Sequence, residues 1–175
     1  MSGRTYNVLF LCTGNSVRSI LAECLLRELG KGRFQAFSAG SFPKREVHPL
    51  ALLLVKEQGF AAEGLRAKPW DEFAAPGAPT MDFVFTVCDQ AAGEACPVWP
   101  GHPMTAHWGI PDPAAVADDG AGGQMLAFRD AFCMLERRIK LFLALPLSSL
   151  DCMALQRQVD AIGRLRPDTA EGRAS

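Results

Sequence analysis

The sequence predicts an α/β domain built on a parallel sheet with helices on both faces. Two observations carry this. Short, near-continuous apolar runs of strand length alternate with longer segments whose apolar residues recur at helical spacing. Glycine or proline closes most of these segments, which divides the chain into units of alternating type.

The first unit opens with Tyr6-Asn7-Val8-Leu9-Phe10-Leu11, a run that reads as a strand buried on both faces. Residues 16–29 then read as a helix, with Ile20, Leu21, Cys24, Leu25 and Leu29 on one face and Gly30 as the stop. Residues 34–39 form a second strand, ended by Gly40. A second helix spans 49–58, with His48 at its start, Leu50, Leu53 and Leu54 inward and Gly59 after it. Residues 69–75 suit a short third helix, and 82–87 the next strand. The stretch 88–123 is rich in Gly and Pro. It reads as loop, with a short strand at 104–107, and a loop of that length usually serves a function. Residues 124–145 form a long amphipathic helix whose apolar face is Leu126, Phe128, Phe132, Leu135, Ile139, Phe142 and Leu143. Pro146 breaks it. Another helix fits 150–165, and 166–175 reads as a frayed tail. The expected division is a catalytic domain at 1–146 and a C-terminal helical extension with its tail at 147–175. The apolar residues of the extension suit packing on the domain or on a second subunit.

Composition narrows the function. The chain has 175 residues, enough for one sizeable core, with 49% hydrophobic and 21% charged residues. A net charge of −1 gives no basis for nucleic-acid or anionic-membrane binding. No apolar run has transmembrane length, and the first residues lack a signal-peptide layout, so a cytoplasmic protein is expected. Six cysteines stand at 12, 24, 88, 96, 133 and 152. A domain of this size needs no disulfide framework, and without a CxxC pair a structural zinc site is not indicated. The question is which thiols react.

In a parallel sheet, ligands bind at the carboxyl ends of the strands. Cys12 and Cys88 each stand at such an end. From Cys12 the chain reads Cys12-Thr13-Gly14-Asn15-Ser16-Val17-Arg18-Ser19. A tight turn between strand and helix can aim successive N–H groups inward as an anion nest. Gly14 and Asn15 tolerate the left-handed backbone this requires. Arg18 can grip two oxygens with its planar fork. Arg18 and the helix start both favour a Cys12 thiolate, so a lowered pKa is expected, with Ser19 as a hydrogen-bond donor to the sulfur. The plainer reading makes Cys12 a small core residue at a strand end. The complete strand, turn and helix context favours the nucleophile.

Residues 8–23 resemble the low-molecular-weight tyrosine phosphatase superfamily, which includes a branch of arsenate reductases. Ser38-Ala39-Gly40 and Pro111-Asp112-Pro113 are similar to its further landmarks. The resemblance covers roughly residues 6–145 and implies a flavodoxin-like three-layer sandwich with a four-stranded parallel sheet. It makes residues 13–18 (Thr13, Gly14, Asn15, Ser16, Val17 and Arg18) the oxyanion loop and Asp112 the general acid. It also puts Asn15, Glu23 and Ser38 at positions that hold potassium in some members, although a further carboxylate of that site has no counterpart here. Glu23 reads equally well as a surface helix residue.

Phosphatases of this family carry aromatic residues after the Asp-Pro. Here Ala114, Ala115 and Val116 follow, and none can stack on a phenol ring. Cys88 and Cys96 instead suit a relay. A second thiol attacks Cys12 to release arsenite, and a third carries the disulfide outward. These thiols, with His107-Trp108-Gly109, resemble the thioredoxin-linked arsenate reductases. The expected function is arsenate reduction through Cys12, Cys88 and Cys96, with phosphate or sulfate as mimics. Thioredoxin or a glutathione–glutaredoxin couple would be the reductant, with no tightly bound cofactor. Two alternatives stand beside it: a phosphatase hydrolysing monoesters through Cys12 and Asp112, and a thiol–disulfide redox sensor. Cys96 with His102 or His107 is a weaker zinc alternative. Cys24 and Cys133 read as inward-facing fillers, and Cys152 as a filler in the extension.

Overall fold

A computed structural model describes residues 4–88, 99–118, 120 and 122–165. The elements are β1 (Tyr6–Cys12), α1 (Arg18–Leu29), β2 (Phe34–Gly40), α2 (Pro49–Glu57), α3 (Asp71–Ala74), β3 (Phe83–Thr86) and β4 (Met104–His107). A 3-10 turn at Pro113–Ala115 precedes α4 (Gly123–Leu143) and α5 (Cys152–Gly163).

The strands form one parallel sheet in the order β2-β1-β3-β4. β1 is central because it has apolar residues for both faces. Val8, Phe10 and Cys12 point into a large core shared with α1, α2, α4 and α5. Leu9 and Leu11 point into a smaller one with Ala39, Phe73, Met81, Val84 and Trp99. The sandwich is therefore three-layered but unequal, with α3 the helix on the thinner side.

The helices depart from the expected faces where packing is two-sided. The first turns of α1 are buried all round, from Ser19 to Leu26, because the helix lies between the sheet and α4. Leu29, beyond that sandwiched stretch, is exposed. In α2 the buried stripe is Ala51, Leu54 and Val55, and Leu53 faces outward. In α4 the stripe runs Phe128, Ala131, Phe132, Leu135, Ile139 and Phe142. Leu126 precedes it and is exposed. Cys133 falls off the stripe, one position past Phe132, and is exposed too, which corrects its reading as an inward filler. Cys24 is fully buried, as expected.

α5 packs on the domain. Leu155, Val159 and Ile162 are buried. Trp108 Nε1 donates to the Val159 carbonyl at 2.9 Å, and Gln156 Nε2 donates to that of Thr105 at 2.8 Å. The tail 166–175 and two positions of the glycine-rich stretch before α4 lie outside the described residues. No described helix is long and apolar enough to cross a membrane.

Candidate active site

The turn from β1 to α1 is held from outside by the segment after β2. The carbonyls of Thr13, Gly14 and Ser16 accept from the backbone N–H groups of Phe42, Lys44 and His48 at 3.0, 2.9 and 3.0 Å. With those carbonyls turned outward, the N–H side of the loop is left for the concave face. α1 starts at Arg18, two residues later than the sequence predicts, because Val17 takes the N-cap position and offers no side-chain acceptor. The N–H groups of the first turn stay available to an anion.

Asn15, not Gly14, adopts the left-handed conformation, with φ of 46°. Its amide explains how a non-glycine residue holds that shape. Asn15 Nδ2 donates to Ser19 Oγ at 2.8 Å and Ser38 Oγ at 3.0 Å, and its Oδ1 accepts from the Lys68 N–H at 3.0 Å. Gly40 meets the loop from β2. A Cβ there would stand 2.4 Å from the Thr13 carbonyl oxygen, so only glycine lets the strand approach this closely.

The result is a cavity of about 50 Å³ lined by Cys12, residues 14–18, Lys44, Asp112 and Ala114. One water needs roughly 10–15 Å³ of such space, so the cavity has the scale of a tetrahedral oxyanion. Among the described residues no aromatic ring lines it. Arg18 Nη1 donates to the Ile110 carbonyl at 3.1 Å, and Nη2 lies 3.7 Å from Asp112 Oδ2. Asp112 Oδ1 accepts from the Ala114 N–H at 3.0 Å, so the carboxylate caps its own 3-10 turn while facing Arg18. Ser19 is buried and accepts from Asn15, which leaves its hydroxyl hydrogen to donate.

Cys88, buried at the end of β3, is close enough to Cys12 to act on its pKa. Thr13 Oγ1 lies 3.6 Å from Cys88 Sγ. This neighbour overturns the expected fall of the Cys12 pKa. Cys88 pushes it up first and burial second, while Arg18 and the Gly14 N–H pull it down. The physical reason is proximity, since removing both protons would leave two adjacent buried anions. Cys96, which the sequence suggests as the third thiol of a relay, lies outside the described residues.

The position suggested for potassium is taken by the chain itself. Lys68 Nζ lies 3.3 Å from Ser38 Oγ and 3.7 Å from Glu23 Oε1, and it donates to the Arg66 carbonyl at 2.8 Å. Glu23 is buried, which removes its reading as a surface residue. Burial raises its pKa against the pull of Lys68, and burial lowers that of Lys68 against Glu23. Asn15 turns its donor end toward Ser38. An ammonium and an amide N–H are the wrong partners for a metal cation, so these residues do not fit potassium. Among the described residues no group of three or more His, Cys, Asp or Glu could hold a metal ion.

Lys44 and Lys68 were not legible as site features. Each lies in a connecting segment with no motif of its own, and the fold alone brings them to the loop.

Residues 7–160 match the family model for low molecular weight phosphotyrosine protein phosphatases. The arsenate reductase of Halalkalibacterium halodurans is 33% identical over 135 residues, covering 77% of this chain and 93% of the relative. The crystal structure of an arsenate reductase from Archaeoglobus fulgidus is similar with a TM-score of 0.61 and 28% identity, over 79% of this chain and 99% of that one. A thioredoxin-dependent arsenate reductase of Corynebacterium glutamicum gives a TM-score of 0.60 and 25% identity. That match covers 85% of this chain and 66% of the Corynebacterium chain.

Proposed function

The chain belongs to the low molecular weight phosphotyrosine protein phosphatase family, and from that premise we propose that it is an arsenate reductase working through a relay of thiols. The observation that carries this reading is Cys88. A second buried thiol against the loop, 3.6 Å from Thr13 Oγ1, has no task in ester hydrolysis, whereas a thiol relay requires one beside Cys12.

Cys12 passes its thiol proton to an oxygen of the bound arsenate dianion and attacks arsenic(V) as the thiolate. A sulfur–arsenic bond forms, and one arsenic–oxygen bond breaks with its oxygen leaving as water, protonated by Asp112. The loop N–H groups and Arg18 hold the remaining oxygens. Cys88 then attacks the Cys12 sulfur. The sulfur–arsenic bond breaks, and its electron pair stays on arsenic, which departs as arsenite. The Cys12–Cys88 disulfide is opened by Cys96, giving a Cys88–Cys96 disulfide and returning the Cys12 thiolate. Thioredoxin supplies the two electrons that reset the pair, a reading supported by the thioredoxin-dependent relative.

The test is disulfide mapping by mass spectrometry after arsenate is added to the reduced protein. Wild type should yield Cys88–Cys96, and Cys96→Ser should trap Cys12–Cys88. If arsenate oxidises none of these thiols while p-nitrophenyl phosphate turns over through Cys12, the chain is a phosphatase. Arsenate-independent formation of Cys88–Cys96 would instead favour the redox sensor.

A further inference from the structure

We propose that Lys44 is the rim cation that makes this pocket select a free tetrahedral oxyanion over a phosphate monoester. The inference rests on the reading of the loop as an oxyanion site and adds a residue outside the family motif.

The cavity is assembled from two kinds of residue. Cys12 and residues 14–18 come from one continuous turn and form the floor. Lys44, Asp112 and Ala114 come from elsewhere and form the rim. Two of the charges are already engaged. Arg18 binds the Ile110 carbonyl and faces Asp112, and Asp112 caps the turn at Ala114. Lys44 makes no ion pair among the described residues, and it is exposed at the opening.

Its position is nevertheless fixed. The Lys44 N–H is bonded to the Gly14 carbonyl at 2.9 Å. Its Cγ and Cε lie 3.4 Å, and its Cδ 3.6 Å, from where a Cβ on Gly14 would stand. The stem therefore lies over the floor of the loop, which reduces the freedom lost when the ammonium engages a ligand. The charge of Lys44 also reaches across to His48, whose pKa it helps to lower.

Charge gives this cation a task. Arg18 is already engaged by the Ile110 carbonyl and Asp112, so Lys44 supplies a second positive charge at the opening for an incoming oxyanion. Direction gives it selectivity. Attack by Cys12 from the floor places the leaving oxygen at the rim, facing Asp112 and Lys44. In arsenate or phosphate that oxygen is free and can accept from the ammonium. In a monoester it carries the organic group, which must pass the rim, displace Lys44 and meet no aromatic wall.

Lys44→Met and Lys44→Arg test this. Affinity is read from the protection that inorganic phosphate gives Cys12 against iodoacetamide, with the labelled site identified by mass spectrometry. Turnover is read with arsenate and with p-nitrophenyl phosphate. Lys44→Met should weaken phosphate protection and raise KM for arsenate roughly tenfold, with kcat changed less than about twofold. Lys44→Arg should stay close to wild type, and in Lys44→Met kcat/KM for the monoester should fall by a smaller factor than kcat/KM for arsenate. The proposal is overturned if Lys44→Met binds phosphate as wild type does. It is also overturned if the variant loses arsenate and monoester activity in equal proportion, or if phosphate fails to protect wild-type Cys12. A wild type that phosphate protects but that reduces no arsenate would remove the reductase reading alone, and protection would still decide the role of Lys44.

Discussion

Cys88 and Cys12 are buried neighbours at the carboxyl ends of β3 and β1, and Cys88 raises the Cys12 pKa while Arg18 lowers it. Cys88→Ala should therefore move the pH profile of Cys12 alkylation to lower pH. The substitution removes the neighbour that raises the pKa and leaves Arg18 and the Gly14 N–H, which lower it. The same variant should stop arsenate turnover after the first covalent step, because nothing remains to displace arsenic from Cys12. An alkylation profile unchanged from wild type would show that the two sulfurs do not share a proton in solution.

Asn15 joins the left-handed turn to β2 and to Lys68 through three hydrogen bonds made by one buried amide. Asn15→Ala should lower stability by about 2–4 kcal/mol, from backbone strain at positive φ and from buried polar groups left without partners. Denaturant unfolding measures this. Phosphate protection of Cys12 should weaken in the same variant, since the loop N–H groups lose their fixed direction.

The buried pair of Glu23 and Lys68 predicts an asymmetric response. Glu23→Gln leaves the Lys68 ammonium buried without its countercharge and should cost roughly 3–5 kcal/mol. Adding Lys68→Met to that variant should recover much of the loss, because the unpaired charge goes with it. A double variant no more stable than Glu23→Gln would show that the pair is not the source of the effect.

His48 links the loop brace to α2. Its Nδ1 accepts from the Leu50 N–H at 3.1 Å, so the ring caps the helix. Burial first and Lys44 second lower its pKa below the ordinary 6.5, while Asp112 opposes them. In the window between the lowered folded value and 6.5, the unfolded chain binds more protons. Stability from this group is therefore complete above that window and is lost as pH falls through it. His48→Asn keeps a capping acceptor without the titration, so its stability should depend less on pH there. Lys44→Met should raise the His48 pKa, which NMR titration of the ring reads directly.

The loop from Cys12 to Arg18 was legible because its chemistry is contiguous: a buried strand, a turn that tolerates positive φ, and a cation in the first helical turn. Asp112 was legible through its prolines and the resemblance, and its ion pair with Arg18 follows from the order of the strands. Lys44 and Lys68 were not, because each reaches the loop through backbone pairing that no local pattern encodes. Lys68 arrives through the bridge between Gly40 and Pro69, and Lys44 through its bond to Gly14. The rise in the Cys12 pKa is hidden from the sequence for the same reason, since Cys88 is its neighbour in space and lies far along the chain. Leu53 and Cys133 face outward although they adjoin the buried stripes, because periodicity locates an apolar stripe only to within a residue or so when several apolar residues are adjacent.

The docking of α5 on β4 gives the last prediction. Gly163 closes α5 against the strand end that leads to Asp112. A Cβ at Gly163 would stand 2.1 Å from the His107 carbonyl oxygen and 2.8 Å from a Trp108 ring carbon. The carbonyl is backbone and Trp108 is fully buried, stacked on Phe85 at 4.0 Å, so neither can yield without moving the sheet edge. Arg138 ties the same region together, donating to the carbonyls of Trp108, Gly109 and Leu165 at 2.6, 3.1 and 3.1 Å. Gly163→Ala should therefore cost about 1–3 kcal/mol even though alanine is the better helix former. Its expected signature is a change in Trp108 fluorescence together with a lower kcat at unchanged phosphate affinity. The loop from Cys12 to Arg18 is braced by β2 and residues 42–48, whereas Asp112 hangs from the segment that α5 and Arg138 hold. Loss of phosphate binding in parallel with kcat would mean that the two halves of the site are not supported independently.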